Sequence, residues 1–193
     1  ADAYARVAIE RLIPSLVQDD WNVISGGALG VDSLVHDKTV QSRGKTIVVL
    51  GSGLLNWYPA SNSGLFNQVI QSGGMIVSCF SLQTQPIPSN FPARNRIIAG
   101  LSQGTVVVQA ASKSGALITA DFALEQGRQV FAVPGSIEHG LHDGCHYLIQ
   151  QGAKLVTNAY DIVVEFGCDV TENQDVQIQL PLTKETTDPL TST

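Results

Sequence analysis

Two short runs constrain this chain more than anything else in it. Thr46–Leu50 (Thr-Ile-Val-Val-Leu) and Thr105–Gln109 (Thr-Val-Val-Val-Gln) are nearly unbroken strings of β-branched residues. A strand with one wet face alternates apolar and polar residues. A continuous run marks a strand buried on both faces, which in practice means a parallel sheet with helices on each side. Neither run approaches the 18 or more apolar residues of a membrane span, nor does any other stretch, so no span is expected.

The segments between these runs read as the helices and further strands of such a sheet. Apolar residues at Val7, Ala8, Leu12, Ile13 and Leu16 recur at helical spacing over Ala3–Leu16, with Pro14 expected to kink or end that helix. Further helices are predicted over Val31–Ser42, Asn62–Gln71, Ala93–Leu101, Gly115–Gln126, Cys145–Gln150 and Asn158–Phe166. Strands are predicted at Trp21–Ser25, Met75–Ser78, Gln129–Val133 and Ala153–Val156, and Gln83–Asn90 reads as a polar loop. Strands alternating with helices at this pace imply right-handed βαβ units and an open, mainly parallel sheet, an α/β fold. The length of 193 residues suits one large domain, placed at residues 1–168. Residues 169–193, rich in Thr, Gln, Asp and Glu with alternation only at Val176–Leu180, read as an acidic polar tail or linker. The chain opens in a helix where a doubly wound sheet places a strand, so the expected sheet either lacks its first strand or starts unusually.

Three cysteines (Cys79, Cys145, Cys168) at no metal-type spacing suit a reducing cytoplasm, and the first residues lack the order of a secretory signal. The formal net charge of -6 argues at first against a polyanionic partner. Its distribution argues otherwise. From Glu165 onward, six acidic residues face Lys184 alone. Between Lys38 and Ala120 stand Lys38, Arg43, Lys45, Arg94, Arg96 and Lys113 without one Asp or Glu. That window is a local positive field able to steer an anion.

In open α/β sheets ligands bind beyond the carboxyl ends of the strands. Four strand ends here carry turns that let backbone approach a phosphate: Gly26-Gly27, Gly51-Ser52-Gly53, Ser112-Lys113-Ser114-Gly115 and Pro134-Gly135-Ser136. The second begins like a dinucleotide fingerprint, but Asn56 stands where the third glycine belongs, which weakens a nicotinamide or flavin reading. In Phe91-Pro92-Ala93-Arg94-Asn95-Arg96, Pro92 suits a helix start and places both arginines in the first turn. Cations there oppose the helix dipole, so a bound anion is the natural explanation of the pair.

Taken in order, Gly26 to Asp32, Tyr58-Pro59, Phe91 to Gly100, Lys113 to Ala120, Gly127 to Gly135 and Gly144-Cys145 resemble the DprA/Smf DNA-processing family over about residues 3–166. The resemblance implies an extended Rossmann-like domain that binds single-stranded DNA cooperatively, protects incoming strands during natural transformation, helps load the recombinase RecA and forms homodimers. No acid–base pair or triad falls at a motif position and P-loop spacing is absent, so binding without catalysis, cofactor or metal is expected. By matching position the resemblance implies a DNA-binding pocket of Gly26, Gly27, Arg94, Asn95, Arg96, Lys113, Ser114 and Gly115. Family members usually end their first strand in Gly-Ser/Thr-Arg, a segment this sequence lacks, and often carry Asn where His146 stands. The acidic tail then reads as a linker toward a C-terminal domain.

Other residues admit two readings. Arg43 and Lys45 either extend the DNA path or are simply solvated. His139, His142, Cys145 and His146 crowd one loop, where packing is favoured over a metal site. Asp32 is expected to cap or complement a helix rather than to catalyse. Trp57, Tyr58 and Phe91 either stack on bases or pack in the core. The enzymatic alternative is a phosphoribohydrolase-like nucleotide enzyme on the same fold, which would need a glutamate that residues 38–120 do not contain. A third is a small-nucleotide sensor.

Overall fold

The computed structural model describes residues 1–167. The boundary expected at 168, Cys168 and the acidic segment 169–193 lie outside the described residues.

Helices and strands alternate: α1 (Ala3–Gln18), β1 (Val23–Ser25), α2 (Val31–Gln41), β2 (Thr46–Leu50), α3 (Ser63–Gln71), β3 (Met75–Ser78) and α4 (Asn90–Leu101). They continue as β4 (Gly104–Val107), α5 (Gly115–Glu125), β5 (Gln129–Ala132), α6 (Asp143–Gln150), β6 (Lys154–Leu155) and α7 (Tyr160–Val163). Every strand pair is parallel. β1-β2-β3 form one three-stranded sheet and β4-β5-β6 another. Register is set by pairs such as Ile24 with Ile47, Val48 with Ile76, and Thr105 with Val130.

The β-branched runs are buried as their composition requires. Val48, Val49 and Leu50 are fully enclosed, and β2 packs on Phe66 and Val69 of α3. Val107 and Val130 face Ala99, Ala120, Ala123, Cys145 and Leu148 from α4, α5 and α6. On the opposite side Ile9, Leu12 and Ile13 of α1 pack with Val35 of α2, Val108, Phe131, Val133 and Val156. α1 thus spans both sheets. The mainly parallel α/β architecture is as the sequence implies.

Three local expectations are corrected. Pro14 does not end α1, which runs on to Gln18. Burial of Ile9, Leu12 and Ile13 on one face outweighs the roughly 3 kcal/mol that an interior proline costs. α4 begins at Asn90, not Ala93, so Arg94 is its fifth residue and lies beyond the first turn. Val106, expected to be fully buried, is only half-buried because β4 has no strand on its outer edge.

Asp2 ties the start of α1 to the second sheet. Its carboxylate caps the helix by accepting from Ala5 N–H at 2.7 Å, while its own N–H donates to Gln109 Oε1 at 3.2 Å. The hydrogen bond from Ala5 pulls the Asp2 carboxyl below its ordinary range, and His142 Nε2, 3.3 Å away, acts in the same direction.

Candidate nucleic-acid interface

The carboxyl ends of β1 and β4 frame an opening whose walls come from four separate stretches of chain. β1 runs directly into Gly26-Gly27. The Asp32 carboxylate, in the first turn of α2, accepts from Ser25 Oγ at 2.8 Å and from Ala28 N at 3.1 Å, which fixes the turn. Asn62 pins it from the other side, donating through Nδ2 to Gly27 O at 2.9 Å. Gly27 has φ +70, and a Cβ there would fall within 2.8 Å of Phe66 and Val48. Only glycine meets both conditions.

Arg94 reaches into this turn from α4. It is 4% exposed, and its Nη1 donates to the carbonyls of both Gly26 and Val49 while Nε donates to Asn95 Oδ1 at 3.0 Å. Burial holds the guanidinium below its ordinary range, and Asp32 counters that shift. Arg94 is therefore a strut between the ends of β1 and β2 as well as a cation in the wall. The first-turn dipole argument does not apply to it; the carbonyls explain its place.

Asn95 points the other way along the opening, with Nδ2 3.5 Å from Gly115 O. There α5 begins. Ser114 caps it by accepting from Ala116 N at 3.2 Å, and no acidic residue stands in its first turn. A Cβ at Gly115 would meet nothing within 4 Å, so the backbone here faces open space. Lys113, exposed, immediately precedes the cap. The positive pole of α2 is already answered by Asp32; that of α5 is not.

Of the eight residues expected at the site, Gly26, Arg94, Asn95 and Gly115 line one cavity of about 660 Å³. Gly27, Lys113 and Ser114 are not among its lining residues; they adjoin Gly26 and Gly115 along the chain. Arg96 departs from the group. Two residues beyond Arg94 it leaves the helix on nearly the opposite side, and its guanidinium lies 5.7 Å from the Phe122 ring centroid on α5.

Two of the four glycine turns are filled by protein. A Cβ at Gly53 would lie 2.2 Å from the carbonyl oxygens of Ser81 and Leu82, and Gly53 N donates to Thr84 O. Gly135 is pressed against the His142 ring. Neither glycine has room beside it even for a Cβ. Arg43 and Lys45 precede β2, at the amino ends of the strands. They lie about 17 Å from the opening at roughly 3.3 Å per residue, which favours the solvated reading.

The loop histidines take separate partners. His142 faces Asp2, His146 Nε2 lies 3.0 Å from Gly135 O, Cys145 Sγ donates to Val107 O, and His139 is exposed. Among the described residues no His/Cys/Asp/Glu group is arranged to hold a metal. Trp57 packs edge-on against Phe66, whereas Tyr58, about half exposed, leans on Phe91. Asn62 and Gln109 had no signal in the sequence, because each acts on a partner far along the chain.

Residues 1–167 match the family described as DNA recombination-mediator protein A. DNA processing protein DprA of Streptococcus pneumoniae is 46% identical over 159 residues, covering 82% of this chain and 56% of that protein. The chain spans about half the length of the curated relatives it matches. The solved structure of the S. pneumoniae DprA superposes with a TM-score of 0.79 at 44% identity, over 86% of this chain and 58% of that one. DNA processing protein A of Helicobacter pylori, solved for its single-stranded DNA binding mode, gives 0.77 at 28% identity, over 86% and 75%.

Proposed function

The chain belongs to the DNA recombination-mediator protein A family, and on that premise we propose that its α/β domain binds single-stranded DNA through phosphate contacts at the opening between β1 and β4. One observation carries this reading: Arg94, Asn95, Gly26 and Gly115, from distant parts of the sequence, meet in one cavity wall beside the uncompensated start of α5. The recorded hydrogen bonds of Arg94 run through Nε and Nη1, which leaves Nη2 for a phosphate oxygen. Asn95 Nδ2, Gly115 N–H and Lys113 supply further donors, and Arg96 on the outer face of α4 extends the positive path.

The activity is binding, not turnover. Of the two carboxylates that line the cavity, Asp20 and Asp32, the one beside the Gly26 turn, Asp32, is engaged by Ser25 and Ala28 and holds the turn. RecA and a second copy of the chain are the partners this reading brings with it, and the cytoplasm is its place. No helix of the described residues is long and apolar enough to cross a membrane.

The test is fluorescence anisotropy with a labelled thymine oligomer over a range of salt concentrations. Phosphate-dominated binding gives a log–log slope of about -0.7 per phosphate neutralised and little preference among sequences. Salt-independent binding, or none, overturns the reading.

A further inference from the structure

Two neighbours in the loop after β2 part company. Trp57 turns inward, its ring edge-on to the buried Phe66 at 5.9 Å, whereas Tyr58 turns outward and stays 49% exposed. The Tyr58 ring meets the Phe91 ring at 5.8 Å between centroids, with 58° between the planes. A contact tilted that far covers part of one face and leaves the other to solvent. Phe91 is itself half-buried against the end of β2, where a Cβ on Gly51 would lie 2.9 Å from its ring. Tyr58 is thus an outward-facing aromatic ring on a packed base, not a side chain of the core.

The same base ties the ring to the phosphate site. The Arg94 guanidinium lies 5.7 Å from the Phe91 centroid and donates to Gly26 O and Val49 O. Tyr58 and Arg94 both contact Phe91 and therefore stand within about 12 Å of each other. A strand with a phosphate at Arg94 reaches Tyr58 within a few nucleotides, at roughly 3.4 Å or more for each. The stretch that supplies all three residues, Lys38 to Ala120, holds no Asp or Glu to repel a polyanion.

We propose that Tyr58, backed by Phe91, is a stacking platform for an unpaired nucleobase and gives the phosphate site its preference for single strands. The inference rests on the phosphate reading above and adds to it a residue that contacts bases. Phosphates are common to single strands and duplexes, so Arg94, Asn95 and Lys113 do not by themselves tell the two apart. A base within a duplex has both faces covered by its neighbours. A base in a single strand is free to lay one face on the tyrosine. Every base has such a face, so the platform tolerates any sequence, and it needs the ring rather than the hydroxyl.

The test measures anisotropy of two labelled strands of equal length, one all-thymine and one abasic, with the parent, Tyr58→Ala and Tyr58→Phe. Tyr58→Ala is expected to bind the thymine strand about 5- to 100-fold more weakly than the parent. It should bind the abasic strand as the parent does, with the salt slope unchanged, and should yield the thymine strand to a smaller excess of duplex. Tyr58→Phe should match the parent on both strands. In the parent itself, a strand carrying 5-iodouracil should crosslink to Tyr58 on irradiation. A purely structural role weakens both strands alike, and that result overturns the proposal, as do crosslinks confined to other residues. Parent-like binding of the thymine strand by Tyr58→Ala also overturns it, and would leave the ring to a protein partner. With steep salt dependence in the parent, that last result sinks the platform alone; salt-independent or absent binding by the parent sinks the phosphate reading and the platform together.

Discussion

Arg94→Ala separates the two duties that the structure gives this residue. Its Nη1 satisfies the Gly26 and Val49 carbonyls, at the ends of β1 and β2, inside a wall where the side chain is 4% exposed. Truncation leaves both acceptors without their donor, at about 1–3 kcal/mol each. The loss of about 2–6 kcal/mol is a large share of the roughly 5–15 kcal/mol that holds a domain folded. With a urea slope of about 2 kcal/mol per molar, the unfolding midpoint should fall by roughly 1–3 M. Circular dichroism against urea reads this directly. Arg94→Lys should recover only part of it, since one ammonium cannot reproduce the guanidinium fork. Arg96→Ala is the contrast. Exposed and resting over Phe122, it should shift stability by no more than about 0.5 kcal/mol while still weakening binding of a thymine oligomer. An Arg94→Ala protein that unfolds at the parent's urea concentration would refute the strut, and with it the account of why Gly26 is held where it is.

Acid should destabilise the domain through His36, which is fully buried and pushed down to about 4 chiefly by burial, with Arg94 acting the same way and Asp32 against it. Thr46 Oγ1 donates to Val23 O and so accepts from His36 Nδ1–H at 2.7 Å, leaving Nε2 bare. Below about pH 6.5 the unfolded chain takes a proton that the folded one refuses until about 4. Stability present above 6.5 is therefore lost across that window, up to about 3 kcal/mol, and thermal melts of His36→Asn should show a flatter profile there. Gly53→Ala should lower the melting temperature clearly, because its Cβ meets main-chain oxygens at 2.2 Å. Gly115→Ala should keep or slightly raise the melting temperature and still weaken DNA binding in the anisotropy assay, since its Cβ projects into the space assigned to phosphate.

Part of the site was legible from residue types alone. The Gly26-Gly27 turn, Arg94-Asn95 and Ser114-Gly115 stand at strand ends and helix starts that periodicity located, and the structure brings them to one opening. Other signals looked the same in one dimension and diverged in three. Gly51-Ser52-Gly53 and Pro134-Gly135 have the composition of phosphate turns, yet loop 81–84 and His142 occupy the space beside them. Arg94 and Arg96 read as a pair, but a spacing of two on a helix turns one inward and the other over Phe122.

The α/β class, the parallel pairing and the burial of Thr46–Leu50 followed from the sequence by itself, because a β-branched run with polar flanks has few ways to exclude water. Tertiary structure alone decided that Arg94 braces two strand ends and that Asp2 and Gln109 lock the start of α1. Both depend on residues between 45 and 107 positions apart. Periodicity and propensity act over a few residues, whereas such partners meet only once the helices have packed and brought the strand ends together.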